Sequence, residues 1–107
     1  MASLSECDRF LLSVDRSDPG GCWLWTGSRT VDGYGRFRLP SGYVRAHRYA
    51  YQLWAGPIPD GLTLDHLTDQ GCTSTLCVRP DHLEAVTAAE NLRRRHARER
   101  TLIGAAA

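Results

Sequence analysis

Within 27 positions the chain sets Asp65-His66, then Cys72-x4-Cys77-x4-His82-Leu83-Glu84, then Asn91. No other feature restricts the possible folds so tightly. Thiolates and imidazoles select zinc, whereas a carboxylate and an amide oxygen suit a harder cation such as Mg²⁺ or Mn²⁺. Two ligand chemistries interleaved this closely imply two metals, one holding the fold and one available for reaction.

A structural metal also answers a problem of size. A chain of 107 residues makes one domain whose apolar core is marginal without reinforcement. The sequence has no apolar run that would span a bilayer and no cleavable signal pattern, so a reducing cytoplasm is the expected setting. There, clustered cysteines bind metal more often than they form disulfides.

The net charge is only +1, but all thirteen basic residues are Arg, each a planar fork suited to phosphate. Five of them, Arg93, Arg94, Arg95, Arg98 and Arg100, crowd the C-terminal end. A composition bias toward Arg explains the missing Lys equally well. It does not explain the clustering.

Local patterning supplies the framework. Phe10-Leu11-Leu12 predicts a short helix or turn, closed by the breaker Pro19-Gly20-Gly21. Cys22–Gly27 and Tyr34–Leu39 predict two strands joined through a turn at Asp32-Gly33, with a second turn at Pro40-Ser41-Gly42. Ala46, Tyr49, Ala50, Leu53 and Trp54 recur at helical spacing over Arg45–Ala55, and Gly56-Pro57 ends that helix. Leu62–His66 and His82–Val86 predict short strands around an aperiodic, cysteine-bearing loop. Thr87 and Glu90 form a capping box, so a final helix starts at Ala88 and carries Asn91 in its first turns. Strand, loop, strand, helix is a ββα unit. The expected fold class is therefore α+β, a small zinc-stabilised domain with an N-terminal β-hairpin and a preceding helix.

Cys72, Cys77 and His82 provide three zinc donors, and a closed structural site needs a fourth. Cys22, arriving on the first strand, is favoured; Cys7 is the competitor, in a less ordered-looking segment. The bland alternative is a Cys72–Cys77 disulfide or buried thiols. Asp65 and Asn91 offer oxygens for a second cation, and His66 has a side chain suited to deprotonating water. Singly, these three are as easily a turn acid, a half-buried histidine and a surface helix residue. Their joint placement argues for a site. His47 fits core packing, and His96 fits an added phosphate contact.

Cys22-Trp23-x-Trp25-x-Gly27, Gly33-Tyr34-Gly35, Arg45-Ala46-His47-Arg48, Gly56-Pro57-Ile58-Pro59, Leu64-Asp65-His66-Leu67, Cys77-Val78-x-Pro80-x-His82-Leu83-Glu84 and Glu90-Asn91 together resemble the HNH nucleases of phages and mobile elements. The zinc spacing is similar to that of the His-Cys box homing endonucleases. Both groups belong to the His-Me finger (ββα-metal) superfamily, and the likeness covers roughly residues 20 to 95. The run from His66 to Cys72 is longer than usual, and Arg79 stands where Asn is usual.

The resemblance implies His66 as general base, Asn91 with Asp65 as ligands of a catalytic Mg²⁺ or Mn²⁺, and Cys22, Cys72, Cys77 and His82 as ligands of structural Zn²⁺. It implies a DNA endonuclease leaving 5′ phosphate and 3′ hydroxyl ends on double-stranded DNA. Arg36, Arg38, Arg93, Arg94, Arg95, Arg98 and Arg100 are the expected phosphate contacts. The expected organisation is an extension over 1–20, the nuclease domain over 21–100 and a flexible tail over 101–107. A homodimer or a larger phage or mobile-element assembly is compatible with so small a chain. The alternative is a zinc-stabilised DNA-binding module without catalysis.

Overall fold

In the computed structural model, the N-terminal segment begins with a capped turn of helix. The Ser5 hydroxyl accepts a hydrogen bond from the Asp8 amide at 3.1 Å, opening α1 (Glu6–Leu11). The structure describes residues 5–18, 20–68, 71–72 and 74–106, with side chains described through residue 100; Pro19 and Ala107 lie outside these. After α1 come β1 (Val14–Asp15), β2 (Leu24–Trp25), β3 (Arg36–Leu39), β4 (Gly42–Arg45) and α2 (Ala46–Trp54). Then follow β5 (Leu62–His66), a 3₁₀ turn at Pro80–His82, β6 (Leu83–Thr87) and α3 (Ala88–Ala106).

Among the described residues the strands form three antiparallel pairs, β1–β2, β3–β4 and β5–β6. The expected strands are present, but their partners differ from a simple β2–β3 hairpin. β2 pairs with β1, and β3 pairs with β4 in the register Arg36↔Arg45, Phe37↔Val44, Arg38↔Tyr43. Alternation marks a strand without saying which edge it uses. Here the Trp25 indole lies against Gly35, where a Cβ would fall 2.4 Å from the ring, so β2 and β3 approach through a side chain instead of a ladder. A single bridge, Arg29↔Gly35, closes the connection between them.

The apolar interior is divided. Phe10, from the N-terminal extension, is fully buried among Trp25, Phe37, Ala46, Ala50 and Val78, with ring centroids 5.0 Å from Trp25 and 5.1 Å from Phe37. Ile58, Leu64 and Leu83 make a second, smaller cluster. The third buried cluster is the cysteines themselves, Cys22, Cys72 and Cys77. Where a larger domain would place more Leu and Val, this one places cysteine sulfur.

The ββα unit is as expected. β5 and β6 pair from Leu62↔Thr87 to His66↔Leu83, and α3 packs across them. Thr87 caps α3 by accepting from the Glu90 amide at 3.0 Å, but the Glu90 carboxylate turns to Arg93 and Arg94 instead of completing the box.

Candidate active site and metal centre

Backbone pairing decides how the cysteines meet. The Trp25 amide donates to the Leu76 carbonyl (2.9 Å) and the Val78 amide to the Trp23 carbonyl (2.8 Å), so β2 lies beside residues 76–78. Cys22, at the start of that stretch, is thereby carried to Cys77 and Cys72. Arg79 ties the joint by donating to the Gly21 carbonyl (2.9 Å) and to Asp81 (2.6 Å).

The result is a buried Cys3His group. The sulfurs of Cys22, Cys72 and Cys77 and a ring nitrogen of His82 lie within 4.8 Å of one another. Cys22 Sγ is 4.0 Å from Cys72 Sγ and 3.8 Å from His82 Nδ1, and Cys77 Sγ is 3.6 Å from the same nitrogen. Tetrahedral zinc with ordinary bond lengths needs about 3.8 Å between sulfurs and about 3.6 Å between sulfur and nitrogen. The donor set and its spacing fit zinc. No disulfide joins the cysteines, and Cys7, in α1, stays outside the group. As thiols they compete for protons: hydrogen bonding to Cys77 pulls the Cys72 thiol down, and the same bond, with burial, pushes the Cys77 thiol up.

Consecutive residues on a strand face opposite ways, and Asp65 and His66 do so here. Asp65 meets α3. Its carboxylate, 4% exposed, accepts from Arg98 at 3.0 and 2.9 Å and from Arg94 at 3.2 Å. Burial pushes its pKa up, but the bonds from Arg98 and Arg94 outweigh this and hold the carboxyl below the usual range. Arg94 also reaches Glu84 (2.7 Å) and Glu90 (2.9 Å), and Arg93 pairs with Glu90. Asn91 is half-buried one turn before Arg94 and Arg95, and none of the described hydrogen bonds uses its side chain. Arg95 and Arg100 are exposed and enter none of the described ion pairs.

His66 turns the other way, to the cysteine loop and α2. Its Nε2 lies 3.1 Å from the Cys77 carbonyl, and its ring is 5.1 Å from His47 and 5.9 Å from Tyr34. Burial depresses its pKa, so the imidazole is neutral near neutral pH. His47 is 5% exposed, 5.4 Å from Tyr34, and pushed down to about 3 by burial and then by the neighbouring His66. No described hydrogen bond joins His66 to Asn91 or to Asp65's carboxylate.

Residues 44–93 match the HNH endonuclease family. That segment is similar to an HNH domain. The chain is also 33% identical over 70 residues to Protein 7.7 of Escherichia phage T7, a match covering 65% of this chain and 51% of that protein. It is 28% identical over 81 residues to the uncharacterized gene 5.3 protein of Enterobacteria phage T3, covering 69% of this chain and 76% of that one. The match thus spans about half the length of the T7 relative. No solved structure matches. Among the described residues no helix is long and apolar enough to cross a membrane.

The matched segment supplies β5, β6, Asn91 and three of the four sulfur and nitrogen donors; Cys22 comes from outside it. Arg36 and Arg38 lie on one face of the β3–β4 hairpin, both against Tyr43 (4.3 and 5.6 Å to its ring centre). Sequence reasoning missed Arg45 as a member of this stripe. It pairs with Arg36 across the ladder, covers the Tyr34 ring at 4.8 Å and bonds Asp32 at 3.1 Å. Its signal was present in the alternation of Tyr43 and Arg45 on one face.

Proposed function

We propose that this protein is a divalent-metal-dependent DNA endonuclease that hydrolyses phosphodiester bonds to 5′ phosphate and 3′ hydroxyl ends. The observation that carries this reading is the contact between His66 Nε2 and the Cys77 carbonyl. A carbonyl can only accept, so Nε2 carries the proton and Nδ1 keeps the lone pair. A neutral imidazole with its tautomer fixed is prepared to take a proton from water. Cys77 is at once a donor of the Cys3His group and the residue whose backbone orients the base, so a Zn²⁺ held by Cys22, Cys72, Cys77 and His82 would stiffen both.

For the catalytic Mg²⁺ or Mn²⁺, Asn91 is the residue whose oxygen is uncommitted among the described hydrogen bonds. When bound, such a cation stabilises negative charge on the phosphate and the leaving oxygen. Asp65 joins Asn91 in this role only by exchanging Arg94 and Arg98 for the cation. DNA phosphates offer those two guanidiniums another partner, which makes the exchange compatible with substrate binding. Arg36, Arg38, Arg93, Arg95 and Arg100 supply further phosphate contacts, giving affinity for duplex DNA more than choice of sequence.

The second reading is a zinc-stabilised DNA-binding module without catalysis. It is favoured by one observation, the complete engagement of Asp65 by its own arginines. Incubation of purified protein with supercoiled plasmid, with Mg²⁺ and without it, separates the two. Nicked or linear product only with the cation, abolished by His66→Ala, is the expected result. Retarded but uncut plasmid in both conditions selects the binding module.

A further inference from the structure

His47 is the one buried imidazole for which the nuclease reading has no use. It sits at the start of α2 with only 5% of its surface exposed, yet Nδ1 is fully enclosed without a hydrogen-bond partner. None of the described hydrogen bonds reaches Nε2. A buried polar atom without a partner is costly, and folding normally selects an apolar side chain for such a place. Core packing alone therefore does not account for a histidine here.

Its neighbours indicate what it serves. The His47 ring is 5.1 Å from the His66 ring at a 32° tilt, and both lie within 6 Å of Tyr34. Arg45 covers the outer part of this group through Tyr34. Because Nδ1 has no exposed surface, what exposure the residue keeps lies elsewhere on it, leaving the Nε2 edge as the nitrogen a substrate can reach. Two rings this close, 5.1 Å apart, can address different atoms of one reacting phosphodiester and its attacking water.

We propose that His47 is a second catalytic residue, donating its Nε2–H to a non-bridging oxygen of the scissile phosphodiester beside the water that His66 activates. The proposal rests on the nuclease reading of His66. The bond is one that strengthens as charge builds on the phosphate, so it acts on turnover more than on substrate affinity.

Two variants and a spectroscopic measurement test this. His47→Phe keeps a ring against His66 and Tyr34 but has no nitrogen; His47→Gln restores an N–H without the ring. The expected result is a kcat lowered about 100-fold in His47→Phe, with KM, zinc content and melting temperature near those of the parent, and partial recovery in His47→Gln. In ¹⁵N-histidine-labelled His66→Ala protein, which binds but does not cut, adding a short duplex with Mg²⁺ should shift the His47 nitrogens. Parent-like turnover in His47→Phe, or His47 nitrogens unmoved by saturating duplex, overturns the proposal. If His47→Phe does not fold, the nitrogen shifts decide alone. If the parent protein binds duplex without cutting it, the nuclease reading fails, and the same shifts still report whether His47 meets a phosphate.

Discussion

The Cys3His group and the α3 side of the β5–β6 hairpin draw on the same short stretch of chain, yet they hold their donors in opposite ways. In the first, four buried donor atoms converge within 4.8 Å of one another. In the second, the one buried carboxylate is already matched by two guanidiniums, and Glu84 and Glu90 are matched as well. A closed site that only needs to be filled once can be pre-shaped around its ion. On the proposed nuclease reading, a site that must admit and release a polyanion has its charges balanced internally, and DNA would then compete for the arginines.

The comparison is most severely tested on the metal side. Cys77→Ser should lose zinc and unfold at room temperature, read by metal analysis and circular dichroism. Structural zinc contributes about 10 kcal/mol or more in small domains, as much as the whole stability of a typical one. A folded, zinc-free Cys77→Ser protein would end the argument that sulfur substitutes for core.

Next in size is His66→Ala. Plasmid cleavage should fall by roughly 10² to 10⁴-fold while zinc content and the thermal melt stay near parental values. Loss of zinc in this variant would place His66 in the structural site and erase the division between the two regions.

Asp65→Asn addresses the other region directly. As a clamp for Arg94 and Arg98, Asp65 should cost about 2 kcal/mol when neutralised, less than a fully buried pair because both arginines are part-exposed. Its folded pKa lies below the unfolded value of 3.8, so its stabilisation is present above that pH and is lost as pH falls through the folded value. The parent should therefore lose stability in acid below pH 3.8 more steeply than Asp65→Asn. A variant with unchanged stability and abolished cleavage would make Asp65 a cation ligand outright and dissolve the contrast drawn here.

The smallest effects concern DNA affinity. Arg95→Ala and Arg100→Ala should each flatten the dependence of log affinity on log salt by about 0.9. Arg93→Ala should move it less, because its guanidinium already pairs with Glu90. Equal slopes for all three would mean that the internal ion pairs of α3 dissolve on the duplex.

Much of this was legible before any coordinates. Residue type and spacing were enough for Cys72, Cys77 and His82, because zinc accepts few donors in few geometries. The ββα order was legible too, since Thr87 and Glu90 announce a helix start and Leu62–His66 is bounded by turns. The strand partners were not, because Leu24-Trp25 and Arg36–Leu39 carry the same alternation whichever edge they pair along. Phe10 looked like part of an extension, since nothing local shows that a short apolar patch is the hub of an aromatic cluster.

What the sequence determined by itself, then, is the chemistry: soft donors at metal spacing, an Asp-His pair, an amide on a capped helix, and a chain whose only cations are arginines. Tertiary structure decided allegiance. It brought Cys22 rather than Cys7 to the cluster through the β2 backbone, turned Asp65 to Arg94 and Arg98 but His66 to Cys77, and set His47 beside His66 with its nitrogens outside the described hydrogen bonds. Spacing can specify which groups a segment offers, but which of them meet depends on contacts between residues tens of positions apart, and those are settled only when the whole chain packs.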